Sequence, residues 1–247
     1  MSYIHIISSL FLLPFTFLIY NTNTVVAVDP LYHICSSTAG NFTPNSVEEK
    51  NVNTLMGLLP KNLSPWGFSR AMTRTYPSMF FGIAQCRGDV NSLECNKCVV
   101  NASVEIRKSC PYNKGAVIWY DNCMLKYLDR SFFGQIDNKN KFYLLNVANV
   151  SNDPILFNTK VKGLLSKLAI QGATTRKLYA IGETKLDTFT NLYGLAQCNQ
   201  DLSNKVCKMC LDQAISELPN CCDGKRGGRV VSGSCNVRYE IYPFINS

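Results

Sequence analysis

Histidine is almost absent from this chain: its 247 residues include 2. His5 lies in an apolar leader, so His33 is the one imidazole expected after processing. A metal site built on paired histidines is thereby excluded, and a Ser-His-Asp unit would have to be assembled on His33. No nucleophile-elbow motif supplies the serine for one. A phosphate-cradling glycine loop is missing too, because Gly227-Gly228 precedes a strand-like run and not a helix. Carboxylates are plentiful but form no paired motif of the glycosidase kind. His33 is read as a structural or surface residue. The chain is read as non-enzymatic, with no catalytic residue, metal or cofactor.

Beyond the leader there is no run near the roughly 20 apolar residues that a membrane span needs. Charge is also missing from the N-terminus, where the first charged side chain is Asp29. The segment Ile4 to Tyr20 is apolar, and Val25-Val26-Ala27 places small residues at both cleavage-defining positions. Residues 1–27 are therefore expected to be a secretory signal peptide. A retained anchor is the rival reading, disfavoured by a short core that contains Pro14. The C-terminus, Tyr242 to Ser247, offers neither a second span nor a lipid-anchor tail. The expected product is soluble, secreted and extracellular, with no nucleic-acid partner. A net charge of +8 survives processing and draws the protein to anionic walls, membranes or glycans, or simply keeps it soluble.

What the chain does have is cysteine, 12 in all, in a repeated frame. Cys86, Cys95 and Cys98 show the spacing C-x8-C-x2-C, and Cys198, Cys207 and Cys210 repeat it 112 positions later. Cys110 and Cys123 recur in the same frame as Cys222 and Cys235. Neighbours agree: Gly82-Ile83-Ala84-Gln85 matches Gly194-Leu195-Ala196-Gln197, and Tyr127 matches Tyr239. One module has been duplicated. The expected domains are residues 28–136 and 142–247, divided at the polar segment Asp137 to Lys141.

Within each copy the periodicity predicts two helices and several strands. Ser46-Val47-Glu48-Glu49 is a capping box, followed by Val52, Leu55, Met56 and Leu59 on one helical face, with Pro60 expected to end the helix. Val161, Leu164, Leu165 and Leu168 repeat that face without the box. Cys95, Cys98, Val99, Ala102 and Ile106 define a second helix, as do Cys207, Cys210, Leu211, Ala214 and Leu218. The stretches Gly67 to Ser78 and Gly172 to Phe189 read as surface loops or a hairpin. Ala116 to Tyr120 and Arg229 to Val231 are rich in strand formers. Phe142 to Val150 is expected to open the second module as its first strand. The fold class is α+β: two helices on an antiparallel sheet, made twice.

C-x2-C also invites a zinc or redox reading. Two such pairs could supply four thiolates, but each belongs to its own complete repeat. Thiols in the secretory pathway are expected to pair, and no βαβ pattern accompanies the motif as in thioredoxin-like sites. Structural disulfides are the reading adopted; a thiol–disulfide redox protein is the distant alternative. Val147 stands where the frame puts the counterpart of Cys35. Cys221 and Cys222 therefore either bridge each other or use a rearranged partner. Four sequons begin at Asn41, Asn62, Asn101 and Asn149, with Pro65 just after the second.

The doubled C-x8-C-x2-C, together with Cys110-Pro111, Trp119-Tyr120-Asp121-Asn122-Cys123, the run Cys221 to Val230 and Cys235-Asn236-Val237-Arg238-Tyr239-Glu240, resembles the plant cysteine-rich repeat secretory proteins. These are tandems of ginkbilobin-homologous, or antifungal/stress-response, domains, which also form the ectodomains of receptor-like kinases and plasmodesmata-located proteins. The resemblance implies about five strands per domain and bridges Cys35–Cys110, Cys86–Cys95, Cys98–Cys123, Cys198–Cys207 and Cys210–Cys235. It also implies an apoplastic binding or interaction protein of stress or defence. Its partners would be a cell-wall or fungal glycan, a related receptor ectodomain, or a second copy of itself.

Ginkbilobin itself is a mannose-binding antifungal protein. Its sugar site has an Asn after the first cysteine, an Arg seven residues after the fifth and a Glu five after the sixth. In the first copy those offsets fall on Ser36, Val117 and Leu128, which cannot form such a site. In the second they fall on Arg229 and Glu240, with Asn146 or Asn149 as the amide. Amide, guanidinium and carboxylate together suit sugar hydroxyls. The alternative for Arg229 and Glu240 is a cross-strand ion pair.

Overall fold

The computed structural model describes residues 29–151 and 153–245, so the expected signal peptide lies outside the described residues. The first module runs β1 (Tyr32–Cys35), α1 (Val47–Lys61), β2 (Phe68–Thr75), β3 (Ser78–Cys86), α2 (Ser92–Ser109), β4 (Gly115–Trp119) and β5 (Cys123–Leu128). The second runs β6 (Lys141–Leu145), α3 (Pro154–Thr174), β7 (Tyr179–Lys185), β8 (Asn191–Cys198), α4 (Asn204–Cys222), β9 (Gly227–Ser232) and β10 (Cys235–Glu240). Each makes one antiparallel sheet of 5 strands, ordered β1-β4-β5-β3-β2 and β6-β9-β10-β8-β7. The two orders are the same, as duplication requires.

Local chemistry sets the helix ends. Ser46 Oγ accepts the Glu49 N–H at 3.2 Å, while Glu49 Oε2 accepts the N–H of Asn45 at 2.6 Å, one residue further out than an ideal capping box. Pro60 lies inside the last turn of α1, which continues to Lys61. Its missing N–H removes one bond to the carbonyl four residues back, and the helix ends one residue later. Asp153 caps α3, its Oδ1 accepting the Leu156 N–H at 2.9 Å.

Val52, Leu55, Met56 and Leu59 of α1 are buried against β2 and β3, and Val161, Leu164, Leu165 and Leu168 of α3 fill the matching core. The stretch from Gly67 to Ser78 is the β2 strand and its turn, while Gly172 still belongs to α3. β6 stops at Leu145, well short of Val150, because the chain turns at Asn146, whose Oδ1 accepts the Ala148 N–H. Cysteines pair as Cys35–Cys110, Cys86–Cys95, Cys98–Cys123, Cys198–Cys207, Cys210–Cys235 and Cys221–Cys222.

The second face of each sheet is covered over its central strands, while β2 and β7 keep Met72 and Ile181 exposed. Every residue of β4 is buried, which alternation explains only if both faces are covered. Ala116 and Ile118 point to the helices, whereas Val117 and Trp119 join Ile83, Met124, Phe132, Phe142 and Val231 in a cluster between the modules. Trp119 Nε1 donates to Ser232 O at 3.1 Å, and Gln197 Nε2 donates to Cys86 O at 2.8 Å. The burial of an indole and several aliphatic chains makes the modules one packed unit, at about 1.5–3 kcal/mol per fully buried apolar side chain.

Candidate functional site

The first strand of each module fixes the geometry of the candidate site. Cys35 stands opposite Ala116, and Leu145 stands opposite Gly228, which is 112 positions beyond Ala116. The structural counterpart of Cys35 is thus Leu145 and not Val147, because the second module is two residues longer between its first strand and its C-x8-C-x2-C motif. Ser36 then corresponds to Asn146, not to a later residue.

Asn146 meets Arg229 and Glu240 in a pocket of ≈ 320 Å³, lined also by Asp121, Arg238 and Tyr242 and by apolar walls from Leu31, Leu144 and Leu145. Asn149 is not brought there; its Oδ1 accepts Lys225 Nζ at 2.7 Å. In the first module Val117 and Leu128 belong to the apolar cluster between the sheets, and Ser36 Oγ accepts the Ala39 N–H. The sequon residues Asn41, Asn62, Asn101 and Asn149 are all exposed.

Arg229 and Arg238 are direct cross-strand partners, an arrangement that is repulsive unless a counter-charge intervenes. That charge comes from the other module. Asp121, in the turn after β4, contacts Arg229 Nη1 at 2.7 Å, Arg238 Nη1 at 3.5 Å and Arg87 Nη1 at 2.8 Å. Arg87 in turn grips Asp89 with two bonds, of 2.7 and 2.9 Å. Burial opposes ionisation of Asp121, but the guanidiniums of Arg229, Arg87 and Arg238 outweigh it and hold its carboxyl below the ordinary range. Burial lowers the Arg229 pKa against the pull of Asp121, and Asn236 Oδ1 accepts its Nε at 3.1 Å.

Glu240 behaves in the opposite way. Burial pushes its carboxyl up, against the attraction of Arg238, whose Nε donates to Oε1 at 3.1 Å. Oε2 is buried without a hydrogen-bond partner among the described residues. It lies over Gly227, where a Cβ would come within 1.8 Å of it, so this carboxylate can fold back only above a glycine. Asn146 Oδ1 is used by Ala148 N at 3.0 Å, which leaves the side-chain nitrogen as its donor.

Sequence reasoning missed Asp121, Arg238, Tyr242 and Leu31. The signal for Asp121 was a broken match: the frame puts Gly233 in its place in the second copy. His33 sits near Cys35 and Cys110, but both sulfurs are tied up in a disulfide and offer no thiolate.

Comparison with known proteins agrees with this architecture. The family described as salt stress response/antifungal matches residues 34–130 and 146–242. An "Antimicrobial ginkbilobin-2-like protein" of Castanea crenata is 53% identical, over 94% of this chain and 96% of the relative. "Cysteine-rich repeat secretory protein 38" of Arabidopsis thaliana is 50% identical over 88% of this chain and 86% of its own. Among solved structures, the tandem DUF26 ectodomain of the Arabidopsis receptor-like protein PDLP8 superposes with a TM-score of 0.76 at 28% identity, covering 87% of this chain and 98% of that one. The corresponding ectodomain of PDLP5 gives 0.71 at 25%, covering 87% and 100%. No helix among the described residues is long and apolar enough to cross a membrane. With two family domains, shared sheet order and relatives this similar along nearly their whole length, the chain belongs to the salt stress response/antifungal family as a tandem cysteine-rich repeat protein.

Proposed function

We propose that this chain is a secreted, apoplastic, non-enzymatic defence protein that binds a mannose-type glycan at the pocket of its second module. One observation carries the reading: Asn146, Arg229 and Glu240 line a single pocket of ≈ 320 Å³. A neutral sugar needs donors and acceptors in several directions, and an amide, a guanidinium and a carboxylate supply both. Glu240 puts a carboxylate in the pocket wall as the acceptor such a sugar needs. Leu31, Leu144 and Leu145 offer apolar wall to the C–H side of the ring. The chestnut relative is named antimicrobial, which fits such a role.

Titration calorimetry with a mannose oligosaccharide tests it. Wild type is expected to bind, and Asn146→Ala and Glu240→Gln are each expected to lose about tenfold in affinity. Wild type without measurable binding, or variants that bind as well as wild type, would remove the reading.

A second reading rests on an apolar edge. Tyr32 on β1 is 49% exposed, and Tyr143, Leu144 and Leu145 on β6 are 37–43% exposed. Both are edge strands, and the Tyr32 and Phe142 rings lie 5.2 Å apart. Such a patch suits a related receptor ectodomain or a second copy. Light scattering of the protein alone and mixed with a tandem ectodomain should reveal a complex that Leu144→Glu dissolves; monomers throughout would reject it.

A further inference from the structure

A second cavity, of ≈ 370 Å³, opens where the α1–β2 connection meets the start of α2 and the α3–β7 connection. Lys61, Trp66, Arg87, Ser92, Asn96 and Lys177 are among its lining residues, and no aspartate or glutamate is. Its volume lies within the range of small-ligand sites. Both modules build it: Lys61 and Trp66 come from the first and Lys177 from the second, with Arg176 next to the cavity against the Trp66 ring.

Charge at this cleft is unbalanced. Arg87 is neutralised by Asp89 and Asp121. The others are not. Lys177 Nζ donates to the neutral carbonyl of Gly88 at 2.7 Å. Arg176 lies over the Trp66 ring, 4.5 Å from its centre, in a contact that leaves the guanidinium charge in place. Lys61 ends α1, where the helix dipole favours a cation without neutralising it. Structural duties therefore explain where these groups sit, yet leave three positive charges around one concavity, which concentrates anions there. Trp66 is 40% exposed and presents apolar aromatic surface beside them.

We propose that this cleft binds an acidic oligosaccharide, with its carboxylates on Lys61, Arg176 and Lys177 and a sugar ring against Trp66. The inference does not depend on the mannose reading, which concerns a neutral sugar in another pocket.

Tryptophan emission provides a local readout. The chain has 2 tryptophans, and Trp119 is 3% exposed between the sheets. Titrating the full protein with a galacturonate oligomer should give a saturable emission change that a neutral galactose oligomer of equal length does not. Trp66→Phe should abolish the signal. Lys61→Gln combined with Lys177→Gln should weaken binding roughly tenfold or more. Lys162→Gln combined with Lys167→Gln, an equal loss of charge on α3, should leave it unchanged. If the Lys177 change lowers the melting temperature, Lys61→Gln alone carries the comparison. Three outcomes would overturn the proposal: no saturable signal, equal binding of the neutral oligomer, or equal weakening by both double variants, which marks attraction by net charge alone.

Discussion

Asp121 contributes its carboxylate to three arginines, two of which belong to the other module. Its folded-state pKa is depressed, so its contribution to stability is complete above the ordinary value of 3.8 and is lost as pH falls below it. Asp121→Asn should lower the melting temperature at neutral pH, and the gap from wild type should close on acidification below that value; thermal melts across pH check this. Glu240 has the reverse sign. Its pKa is raised from 4.5 by burial, so its contribution favours folding at low pH and is lost as pH rises through the folded value. Glu240→Gln should therefore melt higher than wild type at neutral pH while losing glycan affinity, a trade between stability and function. Gly227→Ala should fail on both counts, because its Cβ would displace the Glu240 carboxylate; a cost of about 1–3 kcal/mol is expected from denaturant unfolding.

At the scale of elements, the first strands differ in how they are held. β1 is tied to the end of α2 by Cys35–Cys110, whereas β6 ends in Leu145 and has no such bond. Hydrogen exchange should find β6 amides less protected than those of β1. Loop-closure entropy also ranks the bridges: Cys35–Cys110 spans 75 positions and Cys86–Cys95 spans 9, so removing the former should cost about 2 kcal/mol more. The elements were legible in the sequence where side chains repeat with a clear period. The faces of α1 to α4 followed from apolar spacing, and the topology of one module implied the other. The ends were less legible. Pro60 is an emphatic breaker in isolation, yet the helix runs one residue past it. The start of the second module was misaligned because no cysteine marks β6, and only backbone pairing reveals that Leu145 takes that place.

As a whole molecule, the chain hides the central part of each sheet's second face against its twin. Trp119→Ala should cost about 3–5 kcal/mol and expose apolar surface that binds a hydrophobic dye. The packing of the modules is what sequence periodicity could not reach, since Val117 and Ile118 are equally apolar and point to different partners. The same packing explains the half-legible site. Offsets from Cys222 and Cys235 pointed to Arg229 and Glu240 through the family resemblance, but Asp121 and Leu31 reach the pocket across the module boundary, from positions remote in sequence. The most direct measurement is a crystal structure of the protein with a bound mannose oligosaccharide. The account expects sugar hydroxyls within hydrogen-bond distance of Asn146, Arg229 and Glu240, with Asp121 still holding its arginines. Sugar bound elsewhere, or an empty pocket at a ligand concentration that saturates the protein in solution, would contradict it.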